Sequence, residues 1–251
     1  MMAELKGVRA LMKGALRVIY PPQCLCCGAV VAQEGALCSA CWPEAEFLTG
    51  AVCDCCGVPV ATGGDAQTAG AIICDDCIAR PKPWVRARGA MRYGGTARAL
   101  VLALKYGDRP DLAPALGGWV ATAARPIVSA DMVVVPVPLH PRRLIKRKYN
   151  QAALLSAKVA QELGLAFMPD ALRRTRHTPP QDHRSVDDRA ANIADALTLN
   201  PRRAGALAGR PVLLVDDVLT SGATASAAVA ALGEVSGPVS VAVLARVSKT
   251  D

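Results

Sequence analysis

Aromatic side chains are scarce: the 251 residues include two Phe, three Trp and four Tyr. That argues against the extended base-stacking platform that single-strand binders normally carry. Long uncharged apolar runs are missing too, and none approaches the ~20 residues a membrane span needs. The first segment, AELKGVRALMKGALRVIY, does not read as a cleavable leader, because Lys6, Arg9, Lys13 and Arg17 interrupt it. It reads as an amphipathic helix over residues 1–20. Leu5, Val8, Leu11, Met12, Ala15, Leu16 and Ile19 recur at a helical period, with the cations on another face. Cations are nearly absent from the next stretch. From Pro21 to Arg80 only Arg80 is basic, against Glu34, Glu44, Glu46, Asp54, Asp65, Asp75 and Asp76. One cation against seven acids gives −6 there, which leaves +14 for the remainder of a chain whose total is +8. The basic surface therefore belongs to the first helix and to everything after Arg80, and it favours a polyanionic or phosphorylated partner. No G-x-x-x-x-G-K-[ST] run occurs, which excludes a P-loop nucleotidase.

All ten cysteines lie between Cys24 and Cys77, and eight form C-x-x-C pairs: Cys24/Cys27, Cys38/Cys41, Cys53/Cys56 and Cys74/Cys77. A tetrahedral zinc site takes four soft ligands, and each C-x-x-C turn supplies two. Gly28 and Gly57 stand where such a knuckle needs a permissive backbone. The repeat CLCCG…CxxC, CDCCG…CxxC predicts a structural double zinc ribbon over residues 21–80. The repeat suggests consecutive pairs sharing a metal, and a crossed arrangement of first with third and second with fourth also satisfies the spacing. Disulfides are the competing reading, disfavoured without a secretory signal. Cys26 and Cys55 are left as spares. A segment this acidic and this poor in aromatics is a docking surface or a lid, not a nucleic-acid clamp. ATGGDAQTAGA, between the last two pairs, reads as a loop.

From Trp84 to Asp251 short apolar runs alternate with helical segments. ARALVLALKYG and ATASAAVAALG read as helices, MVVVPVP, VLLVDD and VSVAVLARV as strands. NQAALLSAKVAQELG reads as a helix closed by Gly164. This alternation predicts an α/β domain, a parallel sheet with helices on both faces. Ligands of such sheets bind at the carboxyl ends of strands. Asp216 and Asp217 would stand at that edge, placed to accept hydrogen bonds from a sugar diol. Behind them LTSGAT offers the hydroxyls of Thr220, Ser221 and Thr224 and the N–H groups of a helix N-terminus, a phosphate cradle. A ribose 5-phosphate fits both ends.

VLLVDDVLTSGAT resembles the phosphoribosyl pyrophosphate (PRPP) motif of type I phosphoribosyltransferases. PVPLHPRRLIKRKYNQA, LRRTRHTPPQDHRSVDDRAANIADAL and YPPQCLCCG add resemblances that, with the zinc ribbon, match the ComF family of competence-linked proteins. The resemblance spans nearly the whole chain and implies a type I phosphoribosyltransferase-like sheet behind the small zinc-ribbon domain. It implies that Asp216 and Asp217 are catalytic and bind the ribose hydroxyls. PRPP would be held along Val215, Asp216, Asp217, Val218, Thr220, Ser221, Gly222, Ala223 and Thr224. Pro136, Val137, Pro138, Leu139 and Arg142 would form the pyrophosphate loop, with Mg²⁺ carried by the pyrophosphate and sugar hydroxyls. The segment around Arg173–Arg189 would be a mobile loop closing over the site. Lys148 stands where the family often has Gly, which questions the backbone there.

Two basic clusters remain, Arg142, Arg143, Lys146, Arg147 and Lys148, and Arg173, Arg174, Arg176 and His177. Most of these side chains read as a solvated face, and His140 and His183 as ordinary loop histidines. Tyr149 adjoins the first cluster. Three functions are open. The first is a ComF-type protein handling internalised single-stranded DNA in the cytoplasm. The second is a phosphoribosyltransferase moving ribose 5-phosphate to a base or amine. The third is a non-catalytic PRPP-sensing adaptor whose zinc ribbon docks a competence partner.

Overall fold

The computed structural model describes residues 20–61, 71–175, 196–233 and 235–248. The predicted first helix, apart from Tyr20, and most of the ATGGDAQTAGA loop lie outside these residues. Seven strands are described: β1 (Ala87–Arg92), β2 (Val133–Pro136), β3 (Ala166–Phe167), β4 (Leu172–Arg174), β5 (Leu197–Leu199), β6 (Val212–Leu219) and β7 (Val239–Arg246). Five of them form a parallel sheet in the order β1-β7-β6-β2-β3, while β4 and β5 pair antiparallel by themselves. The helices are α1 (Asp75–Ala79), α2 (Gly95–Tyr106), α3 (Ala113–Ala124), α4 (Pro141–Arg147), α5 (Gln151–Leu163), α6 (Ala204–Leu207) and α7 (Ala223–Leu232).

The period of two along each strand divides the sheet into two apolar faces. Leu213, Val215, Ala242 and Leu244 join one core with Leu100 and Leu104 of α2, Leu116 and Val120 of α3, and Leu155 and Val159 of α5. Val212, Leu214, Val241 and Val243 join the other with Ala225, Ala228 and Leu232 of α7 and with Leu172 and Leu197 of the small hairpin. Burial on both faces is why VLLV is continuously apolar and not alternating. Gly164 closes α5 in the left-handed region, φ 66°, as its position predicts.

The cysteine-rich segment is packed on this domain. Cys24, Leu37 and Ala45 are part of the first core. Residues 46–48 also run along the outer edge of β1. Leu48 N–H donates to Ala90 O (3.0 Å) and Arg92 N–H to Glu46 O (2.8 Å). Phe47 is held between Trp42 and Trp119, with ring centroids 5.1 Å away in each case.

Candidate phosphoribosyl and metal sites

The cysteines resolve into two groups, Cys24, Cys27, Cys38 and Cys41, and Cys53, Cys56, Cys74 and Cys77. In each the sulfurs all lie within 4.8 Å of one another. Consecutive pairs therefore come together and the crossed arrangement does not form. A tetrahedral ion with Zn–S near 2.3 Å sets its sulfurs about 3.8 Å apart. Cys27 and Cys38 are 3.6 Å apart, and Cys56 and Cys74 are 3.7 Å apart. Main-chain N–H groups point at the sulfurs, as from Cys38 to Cys24 and from Cys74 to Cys53, both 3.3 Å. Burial opposes ionisation of Cys24, but N–H groups of Cys27, Cys38 and Cys26 outweigh it and bring that thiol down to about 6. Gly28 and Gly57 have φ of 78° and 72°, the left-handed turn the spacing anticipates. The donor set fits zinc in both groups, and Cys26 and Cys55 stay outside them. The ion would close each ribbon and stabilise a segment with little core of its own.

The paired aspartates stand one step past the point where the sheet opens. Pro136, the last residue of β2, pairs with Val215. Beyond it β6 continues to Leu219 beside β7 alone, with Asp216 opposite Val243. Asp216 and Asp217 thus belong to the strand and do not end it. Asp217 is 7% exposed and pairs with Lys105 Nζ at 2.9 Å, which makes two adjacent like charges tolerable. Asp216 Oδ1 accepts from Asp217 N–H at 2.8 Å. Burial, and then the Asp217 carboxylate, push the Asp216 carboxyl up to about 7 against the pull of Lys105 and Arg174.

Thr220, Ser221, Gly222, Ala223 and Thr224 wrap a small cavity of about 80 Å³, floored by Val137, Leu214 and Val241. Gly222 takes φ 90°, and a Cβ there would sit 2.6 Å from Trp84 Cη2. A larger cleft of about 380 Å³ adjoins it and shares Val137, Asp216, Val218, Thr220 and Thr224. Pro138, Leu139, Lys105, Tyr106, Arg143, Arg147 and Arg174 are among its walls. Burial and the neighbouring Arg143 lower the Arg174 pKa, with Asp216 opposing.

The other expected site residues fall as follows. Val215 is buried in the core and Pro136 in β2, and neither lines the small cavity or the cleft beside it. Arg142 is exposed and absent from the cleft lining, where Arg143 and Arg147 stand instead. On the two-turn helix α4 these i,i+4 positions face inward. His140 caps α4, its Nδ1 accepting from Arg142 N–H at 3.2 Å. Arg173 and Arg174 are in β4, not in a loop. Arg176, His177, His183 and the rest of the segment to Arg189 lie outside the described residues. Lys148 adopts φ 67° and Asp108 φ 51°, and the two side chains form an ion pair. The loop keeps the backbone a glycine would give it.

Two residues that composition hides are Lys105 and Tyr106. Lys105 is the one cation in ALVLALKY, a signal that could have singled it out. Tyr106 is 70% exposed, and the Arg147 guanidinium lies 4.8 Å from its ring centroid. Together with Asp108, Lys146, Lys148 and Tyr149 they line a second basic cleft of about 460 Å³. It shares Lys105, Tyr106, Arg143 and Arg147 with the first.

Two tetracysteine ribbons ahead of a parallel sheet with paired aspartates and a polar turn at its open edge define a class, a double zinc ribbon protein with a phosphoribosyltransferase-like domain. The double zinc ribbon domain family matches residues 15–78. DNA utilization protein YhgH of Salmonella typhimurium is 30% identical over 205 residues, covering 80% of this chain and 85% of that protein. Competence protein F of Haemophilus influenzae is 37% identical over 91 residues, covering 36% and 39%. The chain belongs to the ComF family. Among solved structures, glutamine PRPP amidotransferase from B. subtilis is similar at 21% identity and a TM-score of 0.37, covering 56% of this chain and 30% of that one.

Proposed function

We propose that the chain binds PRPP at the open edge of its sheet and handles internalised single-stranded DNA in the cytoplasm. The observation that carries this reading is the adjacency of two clefts that share four residues, Lys105, Tyr106, Arg143 and Arg147. In the first, Asp216 and Asp217 accept the ribose hydroxyls. The 5-phosphate enters the small cavity, where the first N–H groups of α7 await an acceptor. The pyrophosphate faces Pro136–Leu139, Lys105 and Arg143. Mg²⁺ would be carried by the pyrophosphate and sugar oxygens, since Asp216 and Asp217, the carboxylates in the cleft lining, are engaged by the ribose. In the second cleft a base stacks on the face of Tyr106 that Arg147 leaves open, while Lys146 and Arg147 neutralise the backbone. One exposed tyrosine beside cations supplies the stacking that the composition had seemed to deny. Tyr149 does not serve this way, because its hydroxyl donates to Leu104 O at 2.8 Å. The names of the relatives, DNA utilization and competence, agree with this use.

The test is fluorescence anisotropy of labelled single- and double-stranded oligonucleotides at physiological salt, with and without Mg²⁺–PRPP. Salt is held there because weak basic attraction inflates at low ionic strength. The expected result is micromolar or tighter single-strand preference that changes on adding PRPP. A base stack is worth ~1–3 kcal/mol, so Tyr106→Ala weakens it by roughly five- to 150-fold. Equal affinity for both strands ends the DNA role. Pyrophosphate release with a base or amine would then favour transfer, and PRPP binding alone would favour the adaptor.

A further inference from the structure

The turn over the small cavity is tied to only one of the two metal groups. Arg246, at the end of β7, is 9% exposed, and its partners are main-chain carbonyls. Its Nε donates to Cys56 O at 2.6 Å, and its Nη1 to Leu219 O at 3.0 Å and Thr220 O at 2.9 Å. Trp84, 4% exposed, makes a second tie. Its indole N–H donates to Cys55 O at 2.7 Å, and the far end of its ring lies against Gly222. Cys55 and Cys56 are inside the second knuckle, whereas Leu219, Thr220 and Gly222 are the turn. The first group is linked elsewhere: Cys41 O accepts from Thr96 Oγ1 at 3.0 Å, at the start of α2.

A guanidinium is a rigid fork, so moving one acceptor moves the geometry available to the others. A metal held by the second cysteine group would close the knuckle and fix the directions of the Cys55 and Cys56 carbonyls. We propose that Arg246 and Trp84 are positioning residues through which the second cysteine group sets the backbone of the Leu219–Gly222 turn, so that metal held there and an anion held by the turn stabilise each other. The inference rests on the reading of that turn as a phosphate site. By linkage the effect is reciprocal: the anion tightens the hold on one metal ion, and loss of that ion weakens the anion by the same factor.

The test uses the full chain loaded with zinc and ribose 5-phosphate as the probe. Calorimetry gives the affinity, and a chromophoric chelator competing to equilibrium reads zinc release with and without the sugar phosphate. In the unmodified protein one of two zinc equivalents needs at least threefold more chelator for half release when the probe is bound. Arg246→Gln weakens the probe at least tenfold and abolishes its effect on zinc release, and Arg246→Lys restores part of both. Trp84→Phe, which keeps a ring but loses the N–H, shifts both readouts the same way by less, and serves if the Arg246 variants do not fold. Probe binding with zinc release unchanged overturns the coupling and leaves the phosphate reading standing. So does unaltered affinity in Arg246→Gln. No binding of the probe to the unmodified protein overturns the phosphate reading and the coupling with it.

Discussion

Asp216→Asn isolates the cost of the partly buried charge at the sheet edge. Asn keeps an oxygen to accept the Asp217 N–H and removes only the ionisation. The carboxyl of Asp216 rises from 3.8 to about 7 on folding, so as pH climbs the unfolded chain sheds this proton first. Stability is lost between those two values and the loss is complete above about 7. At 1.36 kcal/mol per unit, the neutral variant gains roughly 2 kcal/mol at pH 5.5 and, as an upper figure, roughly 4 kcal/mol at pH 8.5. Urea unfolding of zinc-loaded protein reads the difference, and comparing variants at one pH cancels the titration of the distant thiolates. The same variant binds ribose 5-phosphate more weakly, because an amide is a poorer acceptor for the diol. Gained stability with lost binding marks a carboxylate kept for function. A variant that is less stable than the original at pH 8.5, or a gain that does not grow with pH, would refute the reasoning.

Other expectations concern backbone and metal. Lys148→Gly stays within about 1 kcal/mol of the original by urea unfolding, since relief of left-handed strain offsets an exposed ion pair worth less than about 1 kcal/mol. Lys148→Val, β-branched at a positive φ, loses more than about 1 kcal/mol. Gly222→Ala costs about 1–3 kcal/mol, and a cycle with Trp84→Leu shows the two changes to be coupled, because the added methyl meets the indole. Metal analysis finds two zinc ions per chain in Cys26→Ser and Cys55→Ser, and one fewer in Cys41→Ser.

The parts most legible in the sequence were those where one residue decides the local outcome. VLLV must be buried on both faces, Gly164 must end a helix, and C-x-x-C must make a knuckle. The pairing of knuckles was suggested by the repeat and is the one found, though spacing alone permits both arrangements and packing selects between them. Helix α3 escaped because Pro114, Gly117 and Gly118 depress its propensity. Gly117 is retained since a Cβ there would come 2.6 Å from Lys158 Cβ, so the glycine permits close packing of α3 on α5. Strand β1 escaped because Arg88 and Arg92 break its apolar pattern. Arg88 is answered by Asp54 at 2.5 Å and Arg92 by Glu46 at 3.3 Å, acids contributed from the cysteine-rich segment. The site residues Lys105 and Arg174 come from a helix and a hairpin far from the aspartates in sequence, and only the fold brings them together.

The run of residues 46–48 along β1 has a consequence for the molecule's solubility. An open strand edge is a template for pairing with other chains. On the far side β3 has only two residues, too short to recruit a partner. On the near side the segment between the two cysteine groups occupies the hydrogen-bonding groups of β1. Cutting the ribbons away would therefore uncover a six-residue edge together with the indole of Trp119. The sheet domain would self-associate, and the ribbons act as its built-in guard against aggregation as well as candidate metal centres.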